Sequence, residues 1–119
     1  MRAQKISKRA AKYNLDFLND DDCFQKIYEE LNELNAAVKG GDGEKIKSEG
    51  GDALFALASY LQKIGVDGET ALNETVNKFI NRFSRAEKLA KKDGVDFKNL
   101  PPDEVDKYYA SAKADENGN

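Results

Sequence analysis

Two pairs of acidic residues with the same spacing lie in the first half of the chain. Glu30 and Glu33 form one pair, and Glu49 and Asp52 form the other. Residues three apart on a helix project from neighbouring turns of one side, so each pair can present both carboxylates together. Four carboxylates beside an apolar core repel one another and lose hydration unless a cation lies among them. Ligand sets made only of oxygen favour magnesium or manganese over zinc.

Acidic residues at this spacing also occur on solvated helix surfaces, where they bind nothing. The segment that follows Asp52, residues 53–61, is apolar on nearly every side and predicts a helix that is buried all round. Gly50 and Gly51 each cost about 1 kcal/mol relative to alanine inside a helix. Either a neighbouring helix approaches closely here, or the regular helix begins only near Asp52.

The composition excludes several other chemistries. The 119 residues include no histidine, which excludes histidine-based acid–base catalysis, Ser-His-Asp relays and the usual zinc sites. The net charge of −3 argues against binding of polymeric nucleic acid. Cys23 is the only cysteine, so no intramolecular disulfide can form, which fits a reducing compartment. The sequence has no apolar run of membrane-spanning length and no signal peptide, so we expect a cytoplasmic protein without a membrane partner.

The elements that would position these acids are predicted to be helices only. β-branched residues are sparse and two-residue alternation is hard to find, which predicts an all-α antiparallel bundle of about four to five helices. The expected helices cover about 2–13, 20–39, 42–64, 67–92 and 103–113. Fifteen residues separate the two acidic pairs, which is enough to bring their helices together antiparallel.

The chain has the length of one domain, predicted over residues 1–114, with a polar tail at 115–119 that we expect to be disordered. The third helix has too much apolar circumference for a chain of this size. We therefore expect a homodimer in which a second subunit covers it.

Several segments of the chain are similar to a known family. Residues 28–34, YEELNEL, and 49–55, EGGDALF, resemble the Glu-x-x-Glu…Glu-x-x-Asp signature of MazG-family nucleotide pyrophosphohydrolases, in particular their carboxyl-terminal catalytic domain. The resemblance extends from MRAQKI at residues 1–6 to Ala112-Lys113 near the end. The related phosphoribosyl-ATP pyrophosphohydrolases share the carboxylates but fit residues 51–55 and the two ends less well.

The resemblance implies an all-α dimeric enzyme that hydrolyses nucleoside triphosphates to the monophosphate and pyrophosphate with magnesium. It makes four acids the metal ligands: Glu30, Glu33, Glu49 and Asp52. It makes Glu29 a further acid near the site that can orient water. It also implies nucleotide contacts by Lys26, Lys45, Lys78, Arg82 and Tyr109. Lys78 and Arg82 are four residues apart on one predicted helix, so both can point at one phosphate chain.

Departures from the family pattern leave the choice of substrate open. Val76 stands where many relatives have asparagine, Asn81 replaces an arginine, and Tyr109 replaces a tryptophan able to stack on a base. Removal of unwanted nucleotides from the pool is the expected role. Two alternatives remain: a narrower enzyme for dUTP, dCTP or phosphoribosyl-ATP, and a non-catalytic helical module that uses its apolar third helix for docking.

Overall fold

The computed structural model describes residues 1–13 and 19–117, and their side chains as far as residue 114. Within these ranges the chain is all-helical and contains no strand, which confirms the predicted fold class. The elements are α1 (Arg2–Ala11), α2 (Asp20–Gly40), α3 (Gly43–Lys63), α4 (Gly68–Lys92), a short 3-10 helix (Phe97–Asn99) and α5 (Pro102–Asn117). The last helix continues beyond the expected end near residue 113, while the domain boundary at 114 stays a prediction. No helix in the described ranges is long and apolar enough to cross a membrane.

The connection between α2 and α3 consists of two residues whose side chains and backbone suit a tight reversal. Gly41 ends α2 with φ of 77°, a left-handed conformation that glycine adopts without steric cost. Asp42 then caps α3, because its Oδ1 accepts a hydrogen bond of 3.1 Å from the Glu44 amide. At the start of α2 the cap is Asn19, whose Oδ1 accepts from the Asp22 amide at 2.8 Å. The three aspartates at 20–22 form the acidic first turn of α2.

The chain divides into two compact units, Met1–Ala71 and Leu72–Asn119. In the first unit, α3 packs against both α2 and α1. Helices α2 and α3 run antiparallel: Leu34 lies beside Gly50 near the connection, whereas the rings of Phe24 and Tyr60 meet at the far end, 5.6 Å apart.

Gln4 on α1 holds the first unit together through three hydrogen bonds. Its Nε2 donates to the carbonyls of Ala58 and Val66 at 3.1 and 3.0 Å. Its Oε1 accepts from the Gly68 amide at 2.9 Å. A Cβ at Gly68 would lie 3.0 Å from Gln4 Nε2, so glycine allows this close approach. One buried side chain thus joins α1, α3 and the start of α4.

Small side chains fill the buried part of the first unit. Ala37, Ala53 and Ala58 are at most 9% exposed, whereas Leu54 on α3 is 72% exposed. The sequence predicted that α3 is buried on every side, but within one chain it is not, because Leu54 is exposed. The homodimer stays a prediction.

The second unit contains most of α4, the 3-10 helix and α5. Phe83 and Phe97 form an edge-to-face pair with ring centres 5.5 Å apart. The Tyr108 hydroxyl donates a 2.7 Å hydrogen bond to Asp93 Oδ2. This bond raises the pKa of Tyr108, because it stabilises the protonated phenol beside a carboxylate.

Candidate metal centre

Three of the four predicted metal ligands meet between α2 and α3. Glu30 comes from α2, and Glu49 and Asp52 come from α3. One carboxylate oxygen from each lies within 4.8 Å of the other two. The antiparallel pairing of the two helices brings these acids together although about 20 residues separate them along the chain.

Two carboxylate oxygens of this cluster are buried without a hydrogen-bond partner among the described residues. They are Oε2 of Glu30 and Oε2 of Glu49. Glu30 is only 7% exposed, and its other oxygen accepts a 3.1 Å ion pair from Lys26. Buried carboxylate oxygens normally have partners, because leaving them without one costs free energy. A divalent cation would satisfy both oxygens, and hard oxygen donors suit Mg²⁺ or Mn²⁺.

Glu33 lies outside the group of three but is joined to it. A hydrogen bond to the Glu49 carboxyl raises the pKa of Glu33, and the negative charges of Glu30 and Glu49 raise it further. In the metal-free protein, Glu33 therefore retains its proton to higher pH than an isolated glutamate. A proton and a divalent cation relieve the same excess of negative charge, so they compete for this position.

Lys26 forms ion pairs with two acidic side chains of the same helix, Glu29 and Glu30. Its Nζ lies 3.1 Å from Glu30 and 3.5 Å from Glu29. The pKa of Lys26 is raised by its hydrogen bond to Glu30 and by the charge of Glu30. Glu29 is exposed and pairs with this same lysine. The phosphate contact expected of Lys26 stays a prediction.

The remaining predicted residues are not part of the cluster. Lys45 is exposed in the first turns of α3, and its amide is 3.4 Å from Asp42 Oδ1. Lys78, Arg82 and Tyr109 belong to the second unit. Lys78 is exposed, Arg82 and Tyr109 are half-buried, and the Tyr109 ring packs against Phe79 with ring centres 5.9 Å apart. Their nucleotide contacts stay predictions.

Neither explanation expected for the two glycines applies to the described chain. Helix α3 is regular from Gly43, so it does not begin near Asp52. A Cβ at Gly50 would make ordinary contact with Leu34 at 4.0 Å, and a Cβ at Gly51 would meet no described atom within 4 Å. Close approach of a helix of the same chain is therefore not the reason for these glycines.

The sequence reasoning missed a cavity of about 440 Å³ that adjoins the carboxylates. Glu30 and Asp52 line it, together with Ser59 and Tyr60 farther along α3. Positions seven residues apart lie on one face of a helix. The spacing from Asp52 to Ser59 could therefore have predicted that both residues line the same surface of α3. A larger cavity of about 1150 Å³ lies in the second unit, and none of the four acids lines it.

Comparisons with known proteins identify the family of the chain. Residues 20–86 match the MazG nucleotide pyrophosphohydrolase domain, and this range contains all four acids. The chain is 34% identical over 111 residues to the nucleoside triphosphate pyrophosphohydrolase/pyrophosphatase MazG of Thermotoga maritima, covering 93% of this chain and 42% of that protein. It is 30% identical over 118 residues to the nucleoside triphosphate pyrophosphohydrolase of Escherichia coli K12, covering 98% and 45%. The chain thus spans less than half the length of these relatives, and it belongs to the MazG nucleotide pyrophosphohydrolase family.

Proposed function

We propose that this protein is a magnesium-dependent pyrophosphohydrolase that converts (deoxy)nucleoside triphosphates to the monophosphate and pyrophosphate. The observation that carries the proposal is the cluster of Glu30, Glu49 and Asp52, in which two buried oxygens have no hydrogen-bond partner among the described residues. A cluster of this kind binds a hard cation strongly and, through it, a polyphosphate. The names of the two relatives support a nucleoside triphosphate as the substrate.

The ligands would be Glu30, Glu33, Glu49 and Asp52, with manganese as a possible substitute for magnesium. Magnesium bound there supplies charge neutralisation for phosphate oxygens and lowers the pKa of water. A cation bound there would favour the ionised form of Glu33, whose pKa is raised by its hydrogen bond to Glu49 and by the neighbouring carboxylates. Glu29 is exposed beside Lys26, and in this proposal it orients a water molecule from the solvent side.

The reaction requires one bond to form and one to break. The oxygen of water attacks the α-phosphorus and the water gives up one proton to the solvent, while the bond from that phosphorus to the bridging oxygen breaks and pyrophosphate leaves with its electron pair. Cations stabilise the charge that develops on the leaving group. In this proposal Lys26, Lys45, Lys78 and Arg82 bind the phosphates, and Tyr109 contacts the base.

The exposed apolar side chains of the first unit support a homodimer. Leu54, Phe55 and Leu57 on α3 are 72%, 45% and 44% exposed in one chain. Exposed apolar side chains clustered on one helix are typical of a surface that another protein covers. We expect a dimer at micromolar concentration in light scattering, and a monomer would contradict this part of the proposal.

The decisive experiment measures pyrophosphate release over a panel of nucleotides with magnesium or manganese. Glu49→Gln and Asp52→Asn should abolish hydrolysis while the helical circular-dichroism spectrum is retained. Glu44→Gln is the matched control, because Glu44 is exposed on the same helix outside the cluster. Activity retained in both cluster variants would refute the proposed site.

The same panel tests the narrower possibilities. Hydrolysis confined to dUTP, dCTP or phosphoribosyl-ATP would identify a specialised enzyme, whereas broad hydrolysis fits removal of unwanted nucleotides. A helical interaction module would show no magnesium-dependent hydrolysis, and magnesium with nucleotide would not change its melting temperature.

A further inference from the structure

Lys26 and Glu30 form an ion pair on α2 whose two partners differ in burial. Lys26 Nζ lies 3.1 Å from Glu30 Oε1, one helical turn away. The Glu30 side chain is 9% exposed, whereas the Lys26 side chain is 50% exposed. Because lysine carries its charge at the end of a flexible four-carbon stem, that charge can move while the buried carboxylate stays in place. Lys26 is therefore the mobile member of the pair.

A divalent cation at the acidic cluster would compete with this ion pair for the same carboxylate. The other oxygen of Glu30, Oε2, is buried without a hydrogen-bond partner among the described residues. A Glu30 oxygen also lies within 4.8 Å of carboxylate oxygens of Glu49 and Asp52. The two oxygens of a carboxylate share one negative charge, so a divalent cation on Glu30 would weaken its attraction for the lysine and repel the ammonium group.

The order of the two residues along the helix favours release of the lysine. In pairs four residues apart, a glutamate that precedes a lysine stabilises a helix more than the reverse order. Here Lys26 precedes Glu30, so the helix gains little by holding the lysine. Other partners are within its reach: Nζ lies 3.5 Å from Glu29 Oε2, and Lys26 lines the same cavity as Asp52, close to phosphates held at the cluster.

We propose that Lys26 is the counter-ion of Glu30 in the metal-free protein and moves to the substrate phosphates once a divalent cation is bound. The inference rests on the metal and triphosphate sites of the proposed function. Lys26 then couples the two ligands: it weakens binding of the cation alone and strengthens binding of a triphosphate to the cation-loaded protein. A lysine that did no more than bind phosphate would leave the affinity for the cation alone unchanged.

The size of the effect follows from a thermodynamic cycle. Whatever the ion pair adds to the stability of the metal-free protein is given up when the cation takes its place. For a partly exposed pair this is at most about fivefold in a dissociation constant, or about 1 kcal/mol. Lys26→Gln should therefore bind Mn²⁺ about fivefold more tightly than the wild type. It should also melt about 3 °C lower in EDTA, and saturating Mn²⁺ should remove that difference.

Two binding measurements test the coupling without catalysis. Titration with Mn²⁺, followed by the electron paramagnetic resonance signal of the free ion, gives the affinity for the cation alone. Lys26→Arg keeps the charge and should match the wild type, as should the control Lys39→Gln. Lys39 is exposed on the same helix nine residues after Glu30, and charges more than about 8 Å apart are largely screened at physiological salt. With saturating Mn²⁺, Lys26→Gln should bind a non-hydrolysable α,β-imido triphosphate about tenfold more weakly than the wild type.

The outcomes separate this inference from the proposed function. Tighter Mn²⁺ binding together with weaker triphosphate binding in Lys26→Gln would support the coupling. Equal or weaker Mn²⁺ binding in that variant would overturn it and leave the enzyme proposal standing, and tighter Mn²⁺ binding with unchanged triphosphate binding would overturn the move to the phosphates. Both expected shifts in a protein that hydrolyses no triphosphate would refute the enzyme and support the coupling.

Discussion

Replacing Glu49 by glutamine should change the stability of the protein in opposite directions with and without magnesium. Oε2 of Glu49 is buried without a partner among the described residues, and the nearest oxygens of Glu30 and Asp52 lie within 4.8 Å of the Glu49 carboxylate. Glutamine keeps the shape of the side chain and removes one negative charge. Without metal, the variant is more stable than the wild type because the repulsion of Glu49 by Glu30 and Asp52 is removed. With magnesium, it is less stabilised than the wild type because one cation ligand is lost.

The size of the stability change without magnesium follows from Coulomb's law, and its size with magnesium follows from mass action. Two like charges 4.8 Å apart repel by about 1 kcal/mol in water and by about 3.5 kcal/mol at an effective dielectric constant of 20. Asp52 is exposed but Glu30 is buried, so the lower figure is a minimum, and metal-free Glu49→Gln should melt at least about 3–5 °C above the wild type. Magnesium at a hundredfold excess over its dissociation constant stabilises the wild type by about 2.7 kcal/mol, or about 10 °C.

Thermal unfolding followed by circular dichroism measures both effects, first in EDTA and then in a magnesium series. Asp52→Asn should behave like Glu49→Gln, and Glu44→Gln should follow the wild type in both conditions. The reasoning is refuted if magnesium stabilises Glu49→Gln as much as the wild type. It is also refuted if the metal-free variant melts several degrees below the wild type, because Glu49 would then stabilise the fold directly.

Three further predictions test the charge of the site, the packing of the first unit and the phosphate contacts. The pKa of Glu33 is raised above its usual value of 4.5 in the folded, metal-free protein. Its protonated form therefore adds to the folding free energy below pH 4.5, and this stabilisation is lost as pH rises through the raised pKa. Melting temperature should thus fall over this range in EDTA, and equal slopes in wild type and Glu33→Gln would contradict this. Gln4→Ala should lower the urea unfolding free energy by about 2–4 kcal/mol, because it leaves buried groups unpaired; a loss no larger than that of the exposed Gln25→Ala would refute the role of Gln4. Lys78→Ala should lower kcat/KM at least tenfold relative to Lys92→Ala, and an unchanged value would remove Lys78 from the phosphate contacts.

Local signals in the sequence were sufficient to predict the helices. Glycine at 41 and aspartate at 42 favour a helix end followed by a helix start, and the structure has both there. The pairing of α2 with α3 followed from the short connection, and it brings three of the four acids together. These predictions were accurate because capping, turn chemistry and helical spacing depend on residues close together in the chain.

Features that depend on residues far apart in the chain could not be predicted in the same way. Gln4 bonds to groups 54 to 64 residues away, and nothing in its local sequence distinguishes it from an exposed glutamine. Helical spacing placed Glu33 on the same side as Glu30, but the rise in its pKa depends on a hydrogen bond to Glu49 on another helix. The cavity near Ser59 arises only when three helices assemble.

The small residues between α2 and α3 affect both the geometry of the acidic cluster and the surface expected to form the dimer. Ala37 on α2 and Ala53 on α3 are buried, and short side chains allow neighbouring helices to approach closely. This close approach places carboxylates from two helices within 4.8 Å of one another. It also leaves the larger apolar side chains of α3, such as Leu54, on the outside of the unit. A second copy that covered them would hold α3 from the other side, so dimerisation and the geometry of the acidic cluster would depend on the same helix.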